Sequence, residues 1–423
     1  MTFAFNIWAR VVALLPPAML VAGAAQAAGY DQPLPFAARH VGIGGTSLAE
    51  VDSALAPALN PGGLGWIRAP ELLGGVTLMT GVVRSSPEPN VNVESERVLA
   101  PVPLFGAAMP IASRVALGLA ARPLAAAGAA YEYRGAVGVT DDEARAAFVE
   151  VALGVGVELP GGVALGVAQR TTYATMSRFK RGAGASGPGI DSSQSGLDFT
   201  GVRVGAQWHA LSDAPGATGS TRRRLRLGAV YRHQTTIDLH GEEGVLLGAP
   251  ARDLETRLLL PSRFGGGLRA DFGRFGGALE AELVKNGDNG RGAVSATRAG
   301  ERIELPAIYD WRDAVMLRAG AEVRVLRDGA LALRAGAVYD GPSSSRRYPS
   351  PFAPPPAPTY AATVGAGFER GAWSVNVAYA LRFGSTTISG SELGSEACAL
   401  CGYAGEYGAT LHLISADLSH RFD

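Results

Sequence analysis

The chain has 423 residues, no net formal charge, 57 glycines, 18% charged residues and 47% hydrophobic residues. This composition excludes a disordered chain, which would be poorer in hydrophobic residues, and a strongly basic nucleic-acid-binding protein, so no nucleic-acid partner is expected. After Glu71 no break in composition divides the sequence, which indicates one structural unit there.

Residues 1–27 have the pattern of a secretory signal peptide. Arg10 precedes an apolar run over residues 11–22, and Ala25-Gln26-Ala27 supplies small residues at the cleavage position. The alternative is a transmembrane anchor helix, but Pro16-Pro17 interrupts the run, which is shorter than the roughly 20 residues that span a bilayer. We therefore predict an exported chain whose mature form begins at Ala28.

Residues 28–70 show no regular alternation and predict a small helical segment. Ser47-Leu48-Ala49-Glu50 matches a capping box, which predicts a short helix through residues 54–59. Asn60-Pro61 ends that helix, because proline disfavours helical geometry in the residue before it, and Gly62-Gly63-Leu64 follows as a flexible turn.

From Glu71 to the carboxyl terminus, apolar and polar residues alternate with a period of two. In the clearest stretch, residues 314–325, Leu317 and its aliphatic neighbours point one way while Arg318 and Glu322 point the other. One such strand fits a soluble sheet equally well. The pattern recurs in strands predicted near residues 71–83, 101–109, 114–123, 147–158, 163–175, 197–210, 224–238, 254–272, 275–286, 312–326, 330–339, 360–369, 373–383 and 410–422.

The connections between these strands are alternately short and long. Pro160-Gly161-Gly162 and Gly273-Arg274 are compact turns, whereas residues 124–146 and 287–311 form long segments. This parity is typical of bacterial outer-membrane barrels, and hydrocarbon offers no partner for a sheet edge. A soluble all-β secreted protein would explain the alternation but not the loop parity. The predicted fold is an all-β, transmembrane antiparallel β-barrel of about 14 strands over residues 71–423.

A barrel of this size has a lumen too wide for its side chains to fill. We therefore predict that residues 28–70, which precede the first strand, form a small helical hatch, or plug, inside the lumen.

Several ordered motifs resemble those of a known family. They are Asn60-Pro61-Gly62-Gly63-Leu64 in the hatch, Tyr309-Asp310-Trp311-Arg312-Asp313 in the later half, and the ending Leu418-Ser419-His420-Arg421-Phe422. With these motifs the chain resembles the FadL/TodX family of outer-membrane transporters of long-chain fatty acids and other hydrophobic compounds. The resemblance implies a hatch motif at Asn60, Pro61, Gly62, Gly63 and Leu64, with Gly62 where the family usually has alanine.

The resemblance also implies a fourteen-stranded barrel that takes up hydrophobic molecules and releases them sideways through a gap in its wall. In that family the third strand is kinked near the gap, which here corresponds to residues 114–123 with Gly118 at the centre. The alternative is that Gly118 is an ordinary strand glycine.

A hydrophobic substrate needs apolar pockets outside the polar lumen. The candidate contacts are apolar residues of the hatch and of the third and fourth long loops: Leu55, Leu59, Leu64, Trp66, Met176, Phe179, Val245, Leu246 and Leu247. The alternative is that they only pack the loops on the rim. If the substrate has a carboxylate, an inward Arg203, Arg318 or Arg334 could pair with it. Alternatively, these arginines form a structural ladder in the lumen.

Cys398 and Cys401, the two cysteines, form a C-x-x-C pair in the last long loop, which in an exported chain predicts a disulfide. Zinc would need two further ligands, so neither a metal nor another cofactor is predicted. No nucleophile pattern surrounds any of the six histidines, so the chain is not predicted to be an enzyme. The proline-rich residues 342–358 predict a stiff surface spacer.

The predicted function is uptake of hydrophobic compounds across the bacterial outer membrane by a monomeric barrel. Its expected partners are hydrophobic small molecules, outer-membrane lipid and the barrel-assembly machinery. Two alternatives stay open, namely a structural or adhesive surface barrel and a general water-filled porin.

Overall fold

The structure, a computed structural model, describes residues 33–135, 138–182, 184, 185, 187–213, 223–326, 330–398 and 400–422. The predicted signal peptide, residues 1–27, and the first residues of the predicted hatch lie outside the described residues.

The described residues form one short α-helix, α1 (Ala38–Gly42), short 3-10 helices at Ala56–Ala58, Pro61–Trp66, Asn286–Asp288 and Gly390–Glu392, and nineteen strands. In chain order the strands are β1 (Glu71–Glu88), β2 (Val91–Glu94), β3 (Val98–Ala112), β4 (Val115–Gly135), β5 (Gly138–Leu159), β6 (Val163–Arg181), β7 (Ile190–Leu211), β8 (Arg223–Arg232), β9 (Thr235–Leu246), β10 (Ala249–Leu260), β11 (Arg263–Phe272), β12 (Phe275–Val284), β13 (Arg291–Arg298), β14 (Glu301–Ile308), β15 (Ala314–Arg324), β16 (Leu331–Asp340), β17 (Thr359–Arg370), β18 (Trp373–Ile388) and β19 (Gly405–Arg421).

Within the described residues, fourteen of these strands form a closed antiparallel barrel. The order around the ring is β1, β3, β4, β5, β6, β7, β8, β11, β12, β15, β16, β17, β18 and β19. β19 pairs with β1 from Arg421 opposite Glu71 to Gly408 opposite Arg84, which removes the sheet edge. The predicted strand number and closure are confirmed.

The two faces of the wall differ as the alternation predicts. Leu317 is 48% exposed on the outside, whereas Arg318 is 5% exposed on the inside. Exposed aromatic residues stand at both ends of the apolar outer band: Phe264, Tyr360 and Phe383 at one end, and Phe272, Phe275 and Trp373 at the other. Such girdles are typical of outer-membrane barrels.

The connections alternate between two rims. The short-turn rim carries compact connections such as residues 160–162 and 273–274, and the opposite, long-turn rim carries long connections and extended hairpins. β9 with β10, and β13 with β14, are hairpins that rise from the long-turn rim.

Several predicted strand ends and loops are wrong. The predicted loop 124–146 is an extended hairpin of β4 and β5, and the predicted strand 254–272 is two strands that break at Pro261-Ser262. In the predicted loop 124–146, the alternation of apolar and polar residues fails for a physical reason. Residues 126–129 of β4 are all buried, so both faces of the strand are apolar and the period of two disappears.

The proline-rich residues 342–358 are not a surface spacer, and that prediction is wrong. Ser343 is fully buried, the hydroxyl of Tyr131 donates to the carbonyl of Pro351 at 2.7 Å, and the Phe352 ring lies 5.6 Å from that of Tyr131. The segment therefore reaches from β16 across the mouth to β4. Burial is tolerable because proline has no N–H group that would need a partner.

Candidate functional site

The residues before β1 fill the lumen. Leu34, Phe36 and Val41 form one buried apolar cluster with inward residues of the wall such as Met79 and Leu413. Among the described residues, none of the helices is long and apolar enough to cross a membrane.

The predicted helix over residues 54–59 is wrong, because the residues of the predicted capping box, Ser47 and Glu50, bond to the barrel wall instead of to each other. The backbone N–H groups of Ser47 and Leu48 donate to Oε2 of Glu280 at 2.8 and 2.9 Å. Glu50, which a capping box would turn back to Ser47, instead accepts from Oγ1 of Thr46 at 3.1 Å and pairs with Arg269. Only a 3-10 helix forms at Ala56–Ala58.

The Asn60-Pro61-Gly62-Gly63-Leu64 motif fastens the hatch to the wall. Oδ1 of the fully buried Asn60 accepts from the N–H of Gly62 at 3.1 Å. Its Nδ2 donates to the carbonyl of Leu48 at 2.7 Å and to that of Ala206 on β7 at 3.0 Å. The predicted flexible turn is therefore an ordered 3-10 helix, Pro61–Trp66.

Inward glycines of the wall allow the hatch backbone to approach it closely. A Cβ atom on Gly205 would lie 2.0 Å from Oδ1 of Asn60, and one on Gly166 would lie 2.1 Å from the carbonyl oxygen of Pro61. On β15, a Cβ atom on Gly320 would lie 2.2 Å from the carbonyl oxygen of Ile43. Any larger residue at these positions would displace the hatch.

A buried ion-pair cluster supports the hatch from β4, β5, β6 and β7. Glu150 is fully buried and pairs with Arg170 and, at 2.9 Å, with Nη1 of Arg203. Arg203 also donates to the carbonyl of Pro57 at 3.0 Å, and Nη2 of Arg122 donates to that of Ala58 at 3.0 Å. The guanidinium groups of these wall arginines thus bond to one carboxylate, that of Glu150, and to backbone carbonyls of the hatch.

The other two predicted arginines also have carboxylate partners on the wall. Arg318 pairs with Glu280 and Glu282, and its Nε donates to the carbonyl of Pro33 at 2.8 Å. Nε of Arg334 lies 2.7 Å from Oε2 of Glu322. All three arginines therefore belong to a lumen ladder, as the structural alternative expected, while their contact with a substrate carboxylate stays a prediction.

Two of them also face a small cavity between hatch and wall. This cavity of about 50 Å³ is lined by five arginines, Arg122, Arg203, Arg232, Arg263 and Arg318, together with Glu282 and hatch residues such as Leu48 and Leu59. Five guanidinium groups and one carboxylate thus line this cavity.

Inside the hatch, His40 is a buried titratable group. Its Nδ1 lies 2.9 Å from the carbonyl oxygen of Thr46, and since a carbonyl only accepts, Nδ1 carries the proton. Burial lowers the pKa of His40 below its ordinary value of 6.5, against the opposing charge of Glu50. For Glu50, burial favours a raised pKa, but the charges of Arg269 and Arg39 hold that pKa below its ordinary value.

An apolar wall lies on the long-turn side of the arginine cluster. It is formed by β4, β5, β6, β9 and β10 through the buried residues Leu124, Ala146, Phe148, Ala174, Ile237, Leu239, Leu258 and Leu260. Met176 packs against it and is thus one predicted contact that the structure places on this surface.

The other predicted contacts are dispersed. Leu55, Leu59 and Leu64 are buried in the cluster between hatch and wall, and Trp66 stacks on His209 with ring centroids 3.8 Å apart. Phe179 lies in β6 rather than in a loop.

The three predicted contacts of the fourth long loop belong to the β9–β10 hairpin. Val245 and Leu246 are in β9, and Leu246 packs in a separate cluster with Leu254, whereas Leu247 is exposed in the turn.

The strand pairing of the wall is interrupted at a different place from Gly118. Gly118 is opposite Ala108 on one side and Gly154 on the other, so the strand is fully paired there. A glycine is required at this position for another reason. A Cβ atom on residue 118 would lie 2.7 Å from Cδ2 of Leu64 and 2.8 Å from Cγ of Pro57 in the hatch. The pairing is thus regular at Gly118, and the assignment of Gly118 to a lateral opening stays a prediction.

The pairing of β3 with β4 stops at Phe105 opposite Ala121 within the described residues of the two strands. Immediately beyond, β4 has a bulge between Pro123 and Ala125. The next backbone contact runs from the N–H of Glu96, just before β3, to the carbonyl of Ala130 at 2.8 Å. Between these two points, residues 97–104 and 122–129 enclose an opening in the ladder.

Cys398 and Cys401 are joined by a disulfide with Cα atoms 5.4 Å apart. In the part of the chain that the structure describes, no group of three or more His, Cys, Asp or Glu side chains is arranged to hold a metal ion.

No protein-family model and no curated protein matches the sequence. The fold is similar to that of a solved FadL homologue from Pseudomonas aeruginosa, with a TM-score of 0.72, 14% identity, and 93% of this chain and 100% of that chain covered. It is also similar to the P. putida toluene transporter TodX, with a TM-score of 0.67, 13% identity and coverage of 92% and 99%. For the Ralstonia pickettii toluene transporter TbuX the TM-score is 0.65, at 15% identity and coverage of 92% and 98%. These similarities show a FadL-like fold.

Proposed function

We propose that this FadL-like barrel is a bacterial outer-membrane channel for the uptake of hydrophobic compounds, such as long-chain fatty acids or hydrocarbons. In this proposal the hatch gates the lumen and the substrate leaves sideways through the wall. The break in the β3–β4 ladder is the observation that carries it, because a channel for water-soluble solutes has no use for an opening toward lipid.

The hatch supports a gated path rather than a general porin. Its backbone carbonyls accept from Arg122, Arg203 and Arg318 of the wall, and its amide Asn60 bonds to β7. A hatch held in this way supports a lumen that water-soluble solutes cross only when the hatch moves.

The opening between β3 and β4 supports the lateral exit. Its edges carry small or apolar buried residues, Ala100, Val102 and Leu104 on β3 and Ala126, Ala127 and Ala129 on β4. Pro101, Pro103 and Pro123 flank the break, and proline leaves no unpaired N–H group at such an edge. An apolar molecule that crosses between these residues meets apolar side chains.

The path toward this opening begins at the long-turn rim, which faces outward in the proposal. The apolar wall around Phe148 and Leu258 would remove the substrate from water, as a transfer of apolar surface requires. If the substrate is a carboxylic acid, Arg203 and Arg318 in the cationic cavity would receive its head group. Arg334, which pairs with Glu322, remains a third proposed partner.

The surroundings of the barrel follow from the same proposal. The apolar outer face between its aromatic girdles would contact outer-membrane lipid, and the final strand, with Phe422 near its end, would be recognised by the barrel-assembly machinery. The channel would act as a monomer, without a cofactor or an enzymatic reaction.

A cross-link across the opening tests the lateral exit. Leu104 and Ala126 stand on opposite edges and belong to the same buried cluster, so a Leu104→Cys, Ala126→Cys protein treated with a bis-maleimide would join the two edges. We expect uptake of a labelled long-chain fatty acid and of labelled toluene by whole cells to fall at least about tenfold on cross-linking, because the exit is closed.

The matched control joins the same two strands where they are already paired. Met109 lies opposite Leu117 on the outer face, so cross-linking Met109→Cys to Leu117→Cys leaves the opening free. Uptake that survives the Leu104–Ala126 cross-link would refute the lateral exit. Absence of uptake of both compounds by the unmodified protein would favour the adhesive alternative.

A further inference from the structure

Gln194 is a buried amide whose hydrogen-bonding capacity is unused. It lies on β7 opposite Met176 of β6, and its side chain is 2% exposed. Neither Nε2 nor Oε1 has a hydrogen-bond partner among the described residues. By contrast, two buried amides of the hatch contact are engaged, since Asn60 bonds to four backbone groups and Gln207 donates to the carbonyl of Val51 at 2.9 Å.

The surroundings of Gln194 are apolar. Its neighbour Met176 packs on the apolar wall, and a Cβ atom on Gly241 of β9 would lie 3.1 Å from its Cγ. A leucine or methionine would fill this position without leaving polar atoms unpaired, so the amide lowers stability unless a further group bonds to it.

Two hydroxyl groups on the same wall share this property. Thr172 precedes Ala174 by two residues on the inward face of β6, and Thr256, opposite Leu239, precedes Leu258 by two on β10. Both threonines are buried, and neither Oγ1 has a partner within the described structure. The apolar wall thus carries three buried side chains whose hydrogen-bond donors and acceptors have no partner within the described structure.

The charges near this wall argue against an anionic ligand at Gln194. Arg178, two residues above Met176, pairs with Asp142, and Arg170, two residues below Thr172, pairs with Glu150. Asp198, opposite Thr172, adds a negative charge whose oxygens accept from Thr200. A neutral group that both donates and accepts, such as a hydroxyl, matches the amide better than a carboxylate does.

We propose that Gln194 hydrogen-bonds a neutral hydroxyl group of an otherwise apolar substrate and so selects alcohols or phenols over plain hydrocarbons. This inference rests on the proposed function and specifies its substrate class. Gln194 is a specificity-determining residue in this assignment.

A pair of probes of equal shape tests the assignment. p-Cresol and p-xylene differ only by a hydroxyl in place of a methyl group, and both are titrated calorimetrically into the full-length purified protein, with empty micelles as the blank. We expect the native protein to bind p-cresol about tenfold more tightly than p-xylene, since one neutral hydrogen bond is at stake.

Replacing the amide by an apolar side chain of similar size should remove this preference. In Gln194→Leu the ratio of the two affinities should fall to one or below, because the hydroxyl of p-cresol then has no partner, while p-xylene binding persists and the empty protein melts at a higher temperature. Gln194→Met, which also removes the amide at similar size, should reduce the ratio in the same direction and provides a second variant. Gln169→Leu is the matched control, because Gln169 lies on the opposite face of β6 and bonds to the carbonyl of Phe199.

Each outcome decides one of the two proposals. An unchanged affinity ratio in Gln194→Leu, or a native protein that binds p-xylene as tightly as p-cresol, overturns the role of Gln194 and leaves hydrophobic uptake intact. A native protein that binds neither probe overturns the proposed function, and the inference falls with it.

Discussion

The contact between Gly205 and Asn60 offers a sharp test of the hatch. In Gly205→Ala the new Cβ would lie 2.0 Å from Oδ1 of Asn60, well inside the 3.4 Å at which ordinary contact begins, so the Asn60 side chain must move by more than 1 Å. That movement breaks the three shortest hydrogen bonds of Asn60, which join it to Gly62, Leu48 and Ala206.

The magnitude follows from those bonds. At about 1 kcal/mol for each buried hydrogen bond, Gly205→Ala should weaken hatch docking by about 3 kcal/mol, which is roughly a hundredfold in the ratio of displaced to docked hatch. The barrel itself should persist, because glycine-to-alanine exchange leaves the β7 ladder with β6 and β8 in place.

Single-channel conductance in planar bilayers measures the displaced state. We expect frequent openings in Gly205→Ala and rare ones in the native protein. Gly74→Ala is the matched control, since a Cβ on Gly74 would meet nothing within 4 Å. Equal conductance in all three proteins, with the barrel shown to be folded by its gel mobility, would refute the argument that this glycine seats the hatch.

Three further predictions concern the hatch and its charges. Deleting residues 28–66 should produce a large, steady conductance, whereas a general porin would conduct almost equally with and without them. The folded-state pKa of His40 is lowered, so the contribution of neutral His40 to hatch docking is complete above pH 6.5, the ordinary pKa of histidine, and is lost as the pH falls through the folded-state pKa. Channel openings should therefore increase on acidification below pH 6.5. The variant His40→Gln should abolish this increase. Glu150→Gln leaves Arg170 and Arg203 without their carboxylate and should lower the free energy of unfolding by about 3–5 kcal/mol in denaturant titration, while Glu158→Gln, whose partner Arg68 is half-exposed, should cost less than about 1 kcal/mol.

The local pattern of apolar and polar residues was sufficient to predict the barrel fold. A strand that faces an apolar phase on one side and the lumen on the other must alternate, so residues such as Leu317 and Arg318 carry their orientation in the sequence. The parity of the turns then fixed the strand count and both rims. The Asn60-Pro61-Gly62-Gly63 motif marked the hatch, because its proline restricts the backbone of Asn60 while its glycines permit tight turns.

Tertiary structure decided what local patterning could not. The capping box at Ser47 forms no helix because Glu280, far away in the sequence, binds its N–H groups. Gly118 is a glycine because Leu64 lies against it, and the wall breaks beyond it at Pro123. Gln194 differs from an ordinary polar strand residue only through its burial without a partner. Each of these features depends on contacts between distant segments, which a period of two residues does not encode.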